Sequence, residues 1–365
     1  MNEFVLLPEM SEHIIVGMSG GVDSAVSALL LKEQGFDVEC IFMKNWEEDS
    51  DYCTSEQDYK DALLVCDELG LPLKTVNFCN EYKERVFDYF LKEYAAGRTP
   101  NPDTLCNKEI KFKSFLNYAL KLGASRIATG HYARLDQHNE AVLLRKGNDE
   151  NKDQSYFLFM LNQYQLEKTI FPIGEMTKKD VRTLAKEKGL PNHDRKDSTG
   201  VCFIGERNFT EFLHQYFKPD PGEMITVDGK SVGRHDGLMF YTLGQRQGLG
   251  IGGGHGEKEA PWFVADKNLK DNILIVAQGH DHPDLFHSQL SVENVHWIFD
   301  ESPSLKKLNA KIRYRQKDQS CSIDISNDAL IVVFKKPQFA VTPGQAVVFY
   351  DGDICLGGGT IENRN

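Results

Sequence analysis

Two of the chain's eight cysteines stand in settings that suit thiol chemistry. Cys106 closes the stretch Gly97-Arg-Thr-Pro-Asn-Pro-Asp-Thr-Leu-Cys-Asn107, where Pro100 and Pro102 stiffen a loop ahead of a helix predicted to begin near Asn107. A helix N-terminus lowers a thiol pKa from its usual value of about 8.5, and so do nearby cations such as Lys108 and Lys111. Cys106 is therefore a candidate nucleophile. Asp103, three residues earlier, is a candidate acid or base toward a bound substrate. A capping aspartate beside a buried cysteine is the plainer alternative, but the rigid loop and cationic flank favour chemistry. Cys202 lies in Lys196-Asp-Ser-Thr-Gly-Val-Cys-Phe-Ile-Gly205, a glycine-flanked loop after a polar run. Alone it reads as structural. Far along the chain from Cys106, it can meet that residue across a folded site.

A second constellation is Gly17-Met-Ser-Gly-Gly-Val-Asp-Ser24, which follows a short apolar strand and opens a helix. Backbone N–H groups from Ser19 to Ser24 can converge on an anion, and the helix N-terminus adds partial positive charge. Gly20 and Gly21 permit close approach, and Ser19 and Ser24 can donate from their hydroxyls. Asp23 would repel a phosphate, so its presence suggests a magnesium contact or a loop-shaping hydrogen bond. A glycine turn with an Asp/Ser cap is the competing reading of these residues taken alone.

These residues need a frame, and the pattern supplies one. His13–Met18, Asp37–Met43, Leu73–Phe78 and Arg126–Thr129 read as short strands. They alternate with predicted helices over Val22–Gln34, Ser55–Leu69, Tyr82–Ala96 and Lys108–Leu122. Regular alternation of this kind predicts an α/β fold with a doubly wound parallel sheet, which binds ligands at the carboxyl ends of its strands. From about Phe209 the chain turns to short, glycine-rich stretches. Trp262–Ala265, Ile273–Ala277, Lys311–Arg315 and Ala329–Phe334 are among its predicted strands. Asp-Gly hairpin signals stand at Val227-Asp-Gly-Lys230 and Tyr350-Asp-Gly-Asp353. This predicts a catalytic domain over 1–208, a small central linker domain over 209–279 and a C-terminal β-barrel over 280–365.

The net charge of −12 speaks against a nucleic-acid partner until its distribution is considered. Residues 91–200 hold 19 Lys+Arg against 14 Asp+Glu, so this stretch is locally cationic and suits a phosphate-bearing partner. Lys178–Lys188 reads instead as a solvated helix face of mixed charge. No CxxC pair occurs, which argues against a zinc ribbon or a cluster-binding pair. Cys40, Cys66 and Cys79 read as small buried hydrophobes. No segment approaches the ~20 apolar residues of a membrane helix, and the N-terminal stretch is not a secretory signal, so a cytoplasmic location is expected.

The hexapeptide Ser19–Ser24 resembles the SGGxDS loop of the ATP pyrophosphatase superfamily, and no Walker A sequence is present. That resemblance implies adenylation of a substrate oxygen, with pyrophosphate leaving into the loop's donors. Nearly end to end, the chain is similar to the bacterial tRNA-specific 2-thiouridylase family. The likeness runs through Gly17–Ser24, Phe42–Glu48, Gly97–Phe112, Ala128–Tyr132, Asn151–Tyr156, Asp197–Glu206, Leu243–Arg246, Arg313–Gln316 and Thr342–Gln345. It implies Cys106 as nucleophile and Cys202 as persulfide carrier. Gly17, Met18, Ser19, Gly20, Gly21, Val22, Asp23, Ser24, Met43 and Gly130 would hold ATP. Asn101, Pro102 and Asp103 would meet the target base. His131, Lys152, Asp153, Gln154, Tyr314, Arg315 and Gln345 would contact tRNA. It further implies ATP with loosely held Mg2+, tRNA acceptors for Lys, Glu and Gln, and a protein that delivers persulfide sulfur. Another ligase with the same loop, which does not need two loop cysteines, and an RNA-binding module using ATP structurally are the rivals.

Overall fold

His13–Gly17 (β1) is apolar on both faces because both faces are covered: Ile14, Ile15 and Val16 are fully buried. The computed structural model to which it belongs describes residues 11–47, 55–197, 203, 209–251, 260–304, 307–326 and 329–365. It divides into two compact units. One comprises Met1–Asn80, Asn107–Ser155 and Leu161–Thr199; the other Glu81–Cys106, Tyr156–Met160 and Gly200–Asn365.

In the first unit β1 is joined by Asp37–Lys44 (β2), Leu73–Asn77 (β3) and Arg126–Ala128 (β4). A hairpin of Ala133–His138 (β5) and Ala141–Lys146 (β6) follows, and then Thr169–Ile170 (β7). The sheet order is β3-β2-β1-β4-β7, all parallel, as the strand–helix alternation predicts. Helix α1 (Val22–Glu33) returns from β1 and buries Val22, Ala25, Val26 and Leu29. It stops at Gly35, whose φ of +87° is costly for any residue with a Cβ. The strand order reverses between β1 and β4, so the loops leaving these two strands flank one crevice. Those loops are Met18–Gly21 and Thr129–His131.

The second unit holds two sheets. Gly222–Thr226 (β8), Ser231–His235 (β9), Trp262–Asn268 (β10) and Ile273–Gln278 (β11) pair in the order β10-β11-β8-β9. Phe286–Trp297 (β12), Lys307–Lys311 (β13), Gln319–Ser326 (β14), Ala329–Phe339 (β15), Ala346–Asp351 (β16) and Ile354–Arg364 (β17) form a second sheet. It closes into a six-stranded barrel through β12–β17 pairing. Leu290, Val332, Val347, Phe349 and Ile361 fill its core. Both Asp-Gly signals are hairpin turns, with Gly229 at φ +86° and Gly352 at +59°.

Some expectations shift. The strand expected over Lys311–Arg315 lies earlier, at Lys307–Lys311, which leaves Arg313–Arg315 in the turn before β14. The helix ahead of Cys106 begins at Pro102, not near Asn107. The β5–β6 hairpin and the long β12 were not foreseen, because their mixed polar sequences carry little period-two signal.

Candidate active site

The loop Met18–Ser24 is built largely from its own hydroxyls. Ser24 Oγ accepts from the Ser19 N–H at 3.2 Å and donates to the Gly21 carbonyl at 3.0 Å; Ser19 Oγ lies 3.1 Å from it. Gly21 is the N-cap of α1, and no side chain caps the helix. The first-turn N–H groups of a 12-residue helix therefore face the crevice without a side-chain acceptor. Gly20 has φ +78°, and a Cβ there would fall 2.3 Å from the Asp58 carbonyl oxygen. Its own carbonyl accepts from Asn192 Nδ2 (2.8 Å) and Arg195 Nη1 (3.2 Å). Gly130 is equally constrained, since a Cβ would meet Asp23 C and Ser24 N at 2.8 Å. Met18 and Val22 point into the core, so only their backbones are available to a ligand. Met43 packs its methyl toward Gly17, 3.2 Å from where a Cβ would sit.

Asp23 is engaged by a cation. Lys178 Nζ lies 2.8 Å from both of its oxygens, and the Tyr132 hydroxyl donates to it at 2.7 Å. The same lysine reaches Asp197 at 2.7 Å, where Lys152 (2.6 Å) and Arg182 (2.7 Å) also converge. Burial alone would raise the Asp197 pKa, but the hydrogen bonds and charges of Lys152 and Lys178 outweigh it and hold the carboxyl at about 2. Asp23 thus ties the loop to Tyr132 and Lys178. Among the described residues no cluster of three or more His, Cys, Asp or Glu side chains could hold a metal.

In the second unit, Cys106 follows the short helix Pro102–Leu105 and begins the π-helical stretch Cys106–Phe115. Asn101 caps that short helix, accepting from the Asp103 N–H (3.1 Å) and the Thr104 N–H (3.4 Å), and Pro102 occupies its first position. Cys106 is thus a full turn inside the helix, where the dipole acts less strongly than at the end. It is 4% exposed, while Asp103 is exposed. The preceding loop is held from outside. The Thr99 N–H donates to the Pro343 carbonyl (3.0 Å), and Gln345 Nε2 donates to the Thr99 and Pro100 carbonyls (2.7 and 3.4 Å). Lys267 Nζ donates to the Gly97 carbonyl at 3.0 Å. Cys202 lies outside the described residues. Its neighbour Phe203 is fully buried among Phe87, Phe90 and Phe212, with ring centroids 5.0, 4.9 and 5.5 Å away.

The residues expected at tRNA differ in setting. His131 is buried between Phe112 and Phe171, its Nδ1 2.8 Å from Thr129 Oγ1, and burial holds its pKa well below the usual imidazole range. Asp153 accepts from the N–H groups of Gly147 and Ser155, and Gln154 Oε1 accepts from the Tyr132 N–H. Both side chains shape their loop. Tyr314 is half-buried against Phe157 (4.5 Å), and the exposed Arg315 lies over its ring at 5.8 Å. That pair suits stacking on a base and pairing with a phosphate. Sequence reasoning missed Lys178, Asn192 and Lys267. Lys178 was hidden in a helix read as a mixed-charge solvated face, and no local pattern marks the other two.

Three family models match the chain. A tRNA methyl transferase HUP domain spans residues 12–206, a tRNA methyl transferase PRC-barrel domain 210–278, and an aminomethyltransferase β-barrel domain 287–361. The tRNA-specific 2-thiouridylase MnmA of Hydrogenovibrio crunogenus is 56% identical over 96% of this chain and 94% of its own. That of Alkaliphilus oremlandii is 57% identical over 96% of both chains. That of Francisella philomiragia is 56% identical over 96% of this chain and 99% of its own. Among solved structures, U34-tRNA thiolase NcsA from Methanococcus maripaludis is 20% identical. It covers 53% of this chain and 62% of that one at a TM-score of 0.36.

Proposed function

The chain belongs to the tRNA-specific 2-thiouridylase family, and on that premise we propose that it uses ATP to exchange the C2 oxygen of the wobble uridine, U34, for sulfur. It is a tRNA sulfurtransferase. The N-terminal family model is described as a methyl transferase, but the relatives that align over 96% of the chain are 2-thiouridylases, and the two loop cysteines suit sulfur rather than methyl transfer. The observation that carries the reading is the uncapped N-terminus of α1 at the β1–β4 crevice, which fits a phosphate group.

In this reading the Ser19–Ser24 loop binds the β and γ phosphates while the uridine O2 attacks the α phosphorus. Pyrophosphate leaves, and AMP stays on O2. The uridine is turned out of its stack so that C2 is reachable. Cys202 arrives as Cys–S–SH, loaded by a sulfur-carrier protein. Its terminal sulfur attacks C2, and AMP departs with the C–O bond. The Cys106 thiolate then attacks the Cys202 sulfur, releasing 2-thiouridine and leaving a Cys106–Cys202 disulfide for an external thiol to reduce. Alternatively, Cys106 first frees hydrosulfide, which attacks C2. Asp103, exposed beside Cys106, exchanges protons with the base, and Asn101 and Pro102 frame it. Magnesium offsets phosphate charge and travels with the nucleotide. Residues 1–208 supply the chemistry, and 209–279 and 280–365 grip tRNA for Lys, Glu and Gln, with Arg315 on Tyr314 as a contact. No described helix is long and apolar enough to cross a membrane, and we place the protein in the cytoplasm, with its tRNA.

The test is thiolation of unmodified tRNA by purified protein with ATP, magnesium and a sulfide donor, read as retardation in a mercury-containing gel. Retardation lost in Cys106→Ala supports both the reaction and the nucleophile. AMP formed only when tRNA is added, without retardation, supports adenylation and points to a required persulfide donor. The absence of both signals overturns the reading.

A further inference from the structure

We propose that Gln345, with Lys267, is a positioning residue for the nucleophile: the barrel turn Thr342–Gln345 and strand β10 fix the conformation of the loop that ends in Cys106. The inference rests on Cys106 acting as proposed above.

The loop from Gly97 to Asn101 has no regular structure of its own. Pro100 and Pro102 have no N–H groups, so few backbone bonds are available to hold it. The Gly97 and Arg98 N–H groups bond back to the Tyr94 and Glu93 carbonyls of the preceding helix, at 2.9 Å each, whereas Thr99 and Pro100 are held from distant parts of the sequence. Thr99 is paired on both sides by one turn, its N–H by the Pro343 carbonyl and its carbonyl by the Gln345 amide. Gln345 extends the grip to the Pro100 carbonyl. Gly344 has φ +92°, and a Cβ there would lie 2.9–3.0 Å from the Thr99 backbone, so the turn is pressed against the loop. Thr99 Oγ1 lies 3.3 Å from Thr242 Oγ1, and Lys267 Nζ holds the Gly97 carbonyl. Burial of the Lys267 ammonium, with Arg364 nearby, pulls its pKa down to about 8, a cost that its bond to Gly97 helps offset.

Downstream of Thr99 the chain is stiff. Two prolines bracket Asn101, and Asn101 caps the single turn that delivers Cys106. A rotation at Thr99 is therefore carried to the thiol. The family resemblance gives Gln345 a different task, contact with tRNA. The two roles separate kinetically, because a lost RNA contact weakens binding, whereas a loosened loop lowers the rate at saturating RNA.

The experiment uses the full chain with Gln345→Met, which keeps side-chain length but removes both donors, and Lys267→Met as a second variant should the first not fold. Three quantities are measured: tRNA affinity by filter binding, the single-turnover thiolation rate at saturating tRNA, and the rate of Cys106 alkylation by iodoacetamide, read by mass spectrometry of its peptide. Positioning predicts unchanged affinity, a rate down about tenfold, and buried Cys106 alkylated several times faster. Weaker tRNA binding with rate and alkylation unchanged would overturn it in favour of an RNA contact. No change in any of the three would overturn it outright. Faster alkylation in a protein whose wild type fails to thiolate would instead uphold the clamp and remove the proposed function.

Discussion

Asp23 stands among the N–H groups proposed to bind phosphate, yet its charge would repel one. Lys178 resolves this by neutralising it from the far end of the domain's sequence. Removing one partner of a poorly exposed ion pair leaves the other uncompensated. Lys178→Met should therefore raise the KM for ATP on the order of tenfold in tRNA-dependent AMP release, with Lys178→Arg retaining most affinity. An unchanged KM would show that Asp23 needs no counter-charge there. Asp197, the other partner of Lys178, gives a pH signature. Its folded pKa of about 2 lies below the ~3.9 of an unfolded aspartate. Its stabilising contribution is thus complete above about pH 4 and is lost as pH falls toward 2. Urea melts of wild type and Asp197→Asn should differ most near neutrality and converge in acid.

At the scale of elements, the short helix Pro102–Leu105 depends on its cap. Asn101→Ala should cost about 0.5–2 kcal/mol locally and lower thiolation at saturating tRNA, measured against thermal melting to separate the two effects. The sequence made β1, α1 and the loop between them legible, because an apolar strand, a glycine-rich turn and an amphipathic helix each have a period or a punctuation mark. It marked both Asp-Gly turns for the same reason. It misplaced the helix before Cys106, because Pro102 was weighed as a stiffener and not as a first helical residue. It read Arg313–Arg315 as strand because alternating Arg and Tyr mimic period two, whereas the chain turns there. Contacts such as Lys178 to Asp23 and Gln345 to Thr99 join residues 155 and 246 positions apart, and no local pattern announces them.

For the molecule as a whole, most of the cysteines that the proposed chemistry does not use are buried. Cys40, Cys66, Cys321 and Cys355 are all buried, at 6% exposure or less. A hydrogen bond to Cys66 and then burial raise the pKa of Cys40, and burial pushes Cys321 up to about 12. These last two groups are protonated at neutral pH, and a thiol exchanges sulfur only as its thiolate. A protein that carries a persulfide risks leakage, since the terminal sulfur can hop to any reachable thiolate and strand there. Cys40, Cys66, Cys321 and Cys355 are thus inaccessible, and two of them are protonated as well, whereas Cys79, expected to be buried, is only half-buried. For the persulfide proposed above, burial closes off hops to these four thiols.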